Sequence, residues 1–280
     1  MKEILILDAD SIAYKAAAAN EARTIKTRHK GTGIIEQWDN RTHFRKYLAE
    51  ERHDSEEMYE IEDVQEPRHV SYGQSLVRNM IRSYTTKLQI PQYEIYISGT
   101  DNFRDSIPLP QAHETIRGGI SGGKYKGKRE DNIRPKQLKE IRQWMIDDLG
   151  AIVVNGMEVD DMSSIRAYEG WKAGDKIIQV TEDKDATQCS GWLYNPAKMS
   201  TPILVQGFGK IEKQGAKVKG YGRAFLYFQA LYGDAVDCYH GADIWKGQDI
   251  PAGRQFGEMA ALGLLKDAKT DREEIGRAHV

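Results

Sequence analysis

Cysteine is scarce in this chain, with two in 280 residues, Cys189 and Cys238. Two thiols are too few for a disulfide framework, and they fit a reducing compartment. Neither adjoins a basic partner, so both read as small buried residues rather than nucleophiles. The seven histidines show no zinc-like pairing with each other or with cysteine. No apolar run approaches the roughly 18–20 residues of a membrane-spanning helix. The N-terminus, MKEILILDAD, turns acidic too early for a secretory signal. A cytoplasmic protein without a membrane partner is expected. Internal repeats are also absent.

Net charge is nearly absent too, with 40 Lys and Arg against 42 Asp and Glu. The balance hides local asymmetry. Lys124, Lys126, Lys128, Arg129, Arg134, Lys136 and Lys139 crowd one stretch, with only Glu130 and Asp131 among them. Lys210, Lys213, Lys217, Lys219 and Arg223 form a second stretch against Glu212 alone. Two basic patches in a balanced chain suit a polyanion that touches particular faces; a solvated lysine-rich loop is the plainer alternative.

Short apolar runs at Ile4–Leu7, Tyr93–Ile97, Ala151–Val154 and Ile177–Val180 alternate with amphipathic stretches at roughly 71–89, 135–149 and 159–172. That alternation predicts an α/β fold with a mainly parallel central sheet flanked by helices. Residues 23–70 interrupt it with a polar insert, expected to hold a strand near Gly33–Trp38 and a helix capped near Asn40 or Thr42. Residues 103–134 are irregular, and GGISGG at 118–123 is too glycine-rich for a helix. Beyond about 221 the pattern is helical again, with a polar turn at Tyr239–Gly247. Trp192 and Tyr194 read as part of an edge strand. The last seven residues, EIGRAHV, back-translate to a string like a sequencing-adapter read; the natural chain is expected to continue beyond about 273, with residues 274–280 foreign to it.

Each apolar run is followed by acids: Asp8 and Asp10; Asp101; Glu158, Asp160 and Asp161; Asp183 and Asp185. In a parallel sheet the carboxyl ends of the strands line one edge, where ligands bind. Asp234 and Asp237 add a pair at helical spacing. So many acids together would repel, and hard oxygen ligands without histidine or thiolate favour magnesium or manganese. Taken singly, Asp160 or Asp185 is better read as a surface residue or helix cap. Acids for metal and bases for phosphate together point to hydrolysis of nucleic acid.

Six segments in order, ILILDAD (4–10), SGTDNFR (98–104), YKGKR (125–129), MEVDD (157–161), TEDKD (181–185) and YGDAVD (232–237), resemble the flap endonuclease / 5′-to-3′ exonuclease superfamily. The likeness is nearest to the stand-alone bacteriophage 5′-to-3′ exonucleases. It implies a PIN-like catalytic domain over 1–222, with the insert at 23–70 and an arch or gateway at 103–140. A helical DNA-binding region over 223–273, of helix–three-turn–helix type and truncated here, would come next; its glycine-rich hairpin is represented by CYHGADIWKGQDI alone. The resemblance implies magnesium or manganese, two ions, and a potassium ion in the helical region. Asp8, Asp101, Glu158, Asp160 and Asp161 would hold the first metal, and Asp183, Asp185, Asp234 and Asp237 the second, with Asp10 behind the ligands. Tyr125 would stack on a base while Lys126 and Arg129 polarise the scissile phosphate. Arg104, Lys124, Lys128, Lys210, Lys217 and Lys219 would contact DNA. The implied partners are DNA with a free 5′ end or flap, RNA in RNA–DNA hybrids, and replication proteins; the implied roles are phage DNA replication, primer removal or genome degradation. A haloacid-dehalogenase-like phosphatase, with Asp8 as nucleophile and Asp10 as general acid, and a non-catalytic nucleic-acid-binding module are the competing readings.

Overall fold

Leu5, Ile6 and Leu7, Ile95 and Ile97, and Ile177 and Ile178 are all buried, as expected of strands covered on both faces. In the computed structural model, which describes residues 1–107, 113–114, 120–121, 133–233 and 257–272, these runs become neighbouring strands. The chain begins with β1 (Glu3–Asp8), α1 (Ala9–Ala19), β2 (Glu21–His29), β3 (Ile35–Trp38), α2 (Arg41–Tyr47), β4 (Tyr59–Pro67) and α3 (Val70–Leu88). Next come β5 (Tyr93–Asn102), a 3-10 turn (Phe103–Ser106) and the short strands β6 (His113–Glu114) and β7 (Ile120–Ser121). α4 (Leu138–Leu149), β8 (Ile152–Gly156), α5 (Val159–Lys172) and β9 (Lys176–Val180) lead to a second 3-10 turn, Asp185–Gln188. The remainder is β10 (Gly191–Tyr194), β11 (Ile203–Val205), β12 (Lys210–Gln214), β13 (Lys217–Tyr221), α6 (Arg223–Tyr232) and α7 (Glu258–Leu265).

Contacts divide the chain into two units. The first comprises the described residues of 1–9, 83–132 and 150–280. Its sheet has the order β11-β10-β9-β1-β5-β8, parallel throughout except for β11. The fold is therefore α/β with a mainly parallel central sheet, as its apolar runs predict. β10 is not the edge strand that GWLYNP suggests, because β11 covers its outer side. α5 lies on β9 and β10. That approach depends on small residues: a Cβ on Gly170 would meet Ile177 Cδ1 at 2.5 Å and Ile177 Cβ at 2.8 Å. A separate cluster of Ile211, Val218, Phe225, Phe228, Leu262 and Leu265 joins the β12–β13 hairpin to α6 and α7.

The second unit, residues 10–82 and 133–149, contains the insert. The insert is an antiparallel sheet, β3-β2-β4, rather than a single strand. Asn40 caps α2 as expected, its Oδ1 accepting the His43 N–H at 2.8 Å. Phe44, Ile25, Leu48 and Tyr59 form a small core between α2 and the sheet, with Trp38 and Tyr47 against it. Elsewhere in this unit Glu21 accepts hydrogen bonds from Gln65 (2.9 Å) and the Lys136 N–H (3.0 Å), and pairs with Arg23. Burial alone would raise its pKa; the Lys136 N–H, Arg23 and Gln65 outweigh that and hold it below the usual carboxylate range.

In the region expected to form an arch, the described residues before α4 hold the Phe103–Ser106 turn and the antiparallel β6–β7 pair, with no α-helix among them. Ile120–Ser121 of GGISGG is the second strand of that pair.

Candidate functional site

Because β9, β1, β5 and β8 run parallel, their carboxyl ends share one edge, and the acids come at those ends or just after them. Asp8 closes β1, in register with Tyr96 of β5. β5 then departs from regular pairing: Ser98 faces Val154 and Asn102 faces Gly156, so the segment Ser98–Asn102 bulges. Gly99 lies inside the bulge, where a Cβ would fall 1.9 Å from Asn155 Oδ1. Asp101 is exposed on it, and its Oδ2 is 4.0 Å from where a Gly156 Cβ would be. Gly156 has φ 76°, a conformation that favours glycine.

Glu158 is the N-cap of α5, and Asp160 and Asp161 lie in its first turn, where the helix dipole favours negative charge. The Asp161 carboxylate accepts the Glu158 N–H at 3.4 Å. Across from them the turn after β5 delivers Arg104. Its guanidinium pairs with Glu158 Oε2 and, at 2.7 Å, with Asp161 Oδ1. Asn102 braces the same group: its Nδ2 donates to Glu158 Oε1 at 3.2 Å, and its Oδ1 accepts the Arg104 N–H at 3.1 Å. Arg104, expected on a DNA phosphate, is thus placed on two of the expected metal ligands.

The acids after β9 form a second group. Asp183 Oδ1 accepts the Asp185 N–H at 2.9 Å, and Asp185 Oδ1 accepts from Gln188 (3.2 Å) and from Gln229 of α6 (2.9 Å). Cys189 is exposed rather than buried. Desolvation raises its thiol pKa against a hydrogen bond with Ser164, and the charges of Asp161 and Asp185 add to the rise.

Asp10 takes a different course. It sits in the first turn of α1 and pairs with Arg142 of α4, within the second unit. The carboxylate that the phosphatase reading makes a general acid is thus paired with a guanidinium. Asp234, Asp237, Lys124, Tyr125, Lys126, Lys128 and Arg129 lie outside the described residues.

Most of the basic stretch at 210–223 is a β-hairpin, Lys210–Tyr221, not a loop, and Arg223 opens α6. Lys217 and Lys219 are exposed on it; Lys210 is exposed and pairs with Glu212 at 2.9 Å. Its register puts Lys210, Tyr221, Lys219 and Lys217 on one face, opposite that of Ile211 and Val218.

Asn102 and Gln229 were not singled out in the sequence. A signal existed for Asn102, an Asx residue immediately before a turn. Gln229 carried none, because its partner is 44 residues away.

The donor set, all carboxylate, suits a hard divalent ion. Position is another matter: no three His, Cys, Asp or Glu among the described residues lie close enough together to hold an ion. The pair of ions implied by the resemblance is thus not matched by a preformed site among those residues.

No protein-family model matches the sequence, and no curated protein does. The chain is similar to the T5 D15 protein. That crystal structure, obtained with metal ions, aligns over 98% of this chain and 78% of its own, at 12% identity and a TM-score of 0.47. No described helix is long and apolar enough to cross a membrane.

Proposed function

We propose that this protein is a metal-dependent nuclease that hydrolyses DNA phosphodiester bonds from a free 5′ end or flap. The observation that carries this reading is the single edge of four parallel strands to which Asp8, Asp101, Glu158, Asp160, Asp161, Asp183 and Asp185 are attached. The exposed lysines of the β12–β13 hairpin and the Tyr125-Lys126-x-x-Arg129 motif support it from the side of the substrate.

Magnesium or manganese would be held by those carboxylates, completed by Asp234 and Asp237, once Arg104 has left Glu158 and Asp161. Such an ion supplies Lewis acidity at phosphorus and an activated water. The protein's own groups do the rest. Asn102 orients Glu158, Gln188 and Gln229 orient Asp185, and the first turn of α5 fixes the spacing of Glu158 and Asp161. Lys126 and Arg129 would neutralise charge developing on the phosphate. A role in phage replication or primer removal, RNA in hybrids as substrate, replication proteins as partners and a cytoplasmic location are parts of the same proposal.

The test uses a 5′-flap DNA labelled separately at each end, with magnesium or with a chelator. Magnesium-dependent release of short 5′-labelled fragments is expected. Asp183→Asn should abolish cleavage while DNA binding survives. Full activity in that variant, or cleavage that persists in the chelator, would refute the reading.

A further inference from the structure

Arg104 is the only arginine in SGTDNFR, the segment that leads from the acidic edge toward the YKGKR motif. Its guanidinium occupies Glu158 Oε2 and Asp161 Oδ1, oxygens that metal coordination would claim. The arrangement is built rather than incidental. Glu158 and Asp161 are three residues apart at the start of one helix, so both present to the same side, and the planar fork of an arginine spans them. Asn102 holds Glu158 with its amide N–H and the backbone N–H of Arg104 with its carbonyl. The side chains are largely enclosed, 27% exposed for Arg104, 15% for Glu158 and 30% for Asp161.

Charge makes this pairing exchangeable. One guanidinium brings a single positive charge to two carboxylates, with the Asp160 carboxylate beside them in the same helical turn. A divalent ion brings twice that charge and prefers hard oxygen ligands. The same oxygens cannot serve both in these positions, so the two cations compete, and competition is reciprocal: whatever holds Arg104 elsewhere favours the ion. An arginine released from carboxylates finds its next best partner in a phosphate, which its fork also fits.

We propose that Arg104 is the resident cation of the acidic edge: it holds Glu158 and Asp161 until a divalent ion displaces it, and it is then available to a phosphate of the DNA. This rests on the nuclease reading and deepens it, because it makes metal entry and substrate contact one exchange at a single side chain.

Calorimetric titration of Mn2+ into the chelator-treated full chain tests the first half. Arg104→Ala should tighten Mn2+ binding roughly tenfold, the effect of removing one charge-assisted competitor. Arg104→Gln keeps length and hydrogen bonding without charge, and should tighten it in the same direction even if the alanine variant folds poorly. Arg166→Gln is the control: Arg166 pairs with Glu94 (3.0 Å), and its loss should leave Mn2+ affinity unchanged. If wild type binds Mn2+ and neither Arg104 variant binds it more tightly, this inference falls and the nuclease reading stands. If wild type and both variants all fail to bind Mn2+, the metal reading falls and takes the inference with it. For the second half, affinity for the 5′-flap DNA is measured in Ca2+ and in chelator. Arg104→Ala should bind several-fold more weakly than wild type in Ca2+ and equally in chelator; equal binding in both removes the phosphate step.

Discussion

Gly170→Ala separates two forces that act in opposite directions on α5. In an open helix the change from glycine to alanine stabilises by about 1 kcal/mol, through reduced backbone freedom in the unfolded chain. Here the new methyl would lie 2.5 Å from Ile177 Cδ1, 2.6 Å from Cγ1 and 2.8 Å from Cβ. Those are well inside van der Waals contact. A rotamer change could move Cδ1, but the Ile177 Cβ is fixed to β9, and Ile177 is only 1% exposed. Overpacking of this kind costs about 1–3 kcal/mol. The net expectation is a loss of up to about 2 kcal/mol, a fall in melting temperature on the order of 2–8 °C for a unit of this size. Ile177→Ala should be destabilising by itself through its cavity, yet the double variant should recover part of the Gly170→Ala loss. Thermal melts of the four proteins, monitored by circular dichroism, give the cycle. A Gly170→Ala protein more stable than wild type would refute the close packing of α5 on β9. The consequence reaches the site, because α5 carries Glu158, Asp160 and Asp161, and flap cleavage by Gly170→Ala should fall at temperatures where the protein is still folded.

Two further outcomes concern the second unit and the ion-paired glutamates. Phe44→Ala removes a ring that is 0% exposed and lies 5.0 Å from that of Tyr59, so it should cost about 3–5 kcal/mol and speed hydrogen exchange at the amides of Ile25 and Thr27; unchanged protection would contradict the small core. Glu21 and Glu94 both titrate below their ordinary range when folded, so each stabilises the protein above the unfolded carboxyl pKa of about 4.3 and loses that contribution as pH falls through its folded value. Melting temperature should therefore drop as pH falls below about 5, and Glu21→Gln should lower it at pH 7 while flattening that acid slope; an unaltered slope would refute the linkage.

The parts of the fold that were legible in the sequence were those whose signal is local. β1, β5 and β9 announced themselves because strands covered on both faces are written as continuous apolar runs; β8 carries such a run too, although at the sheet's edge it leaves Ile152 and Val153 exposed. α5 was legible over Val159–Lys172 as an amphipathic stretch, and α2 through its Asn40 cap. β2 was not: its buried positions include Thr27 and His29, which accept hydrogen bonds from the Trp38 ring N–H and the Thr32 N–H, so no apolar alternation marks it. The β12–β13 hairpin hid behind its lysines, with Ile211 and Val218 alone to fix its inner face.

The acidic edge divides along the same line. Sequence by itself determined that acids come after the strands, and that parallel strands must bring those acids to one side, because strand direction is dictated by the alternation of strand and helix. Only the tertiary structure decided which cation meets them. Arg104 chooses between phosphate and carboxylate by distance, and the turn after β5 sets it 2.7 Å from Asp161, 57 residues further along the chain. Gln229 reaches Asp185 in the same way, across 44 residues. Charge is written in the sequence, but its partner is fixed by where folding puts the opposite charge, and electrostatic energy depends on that separation and on the medium between the two.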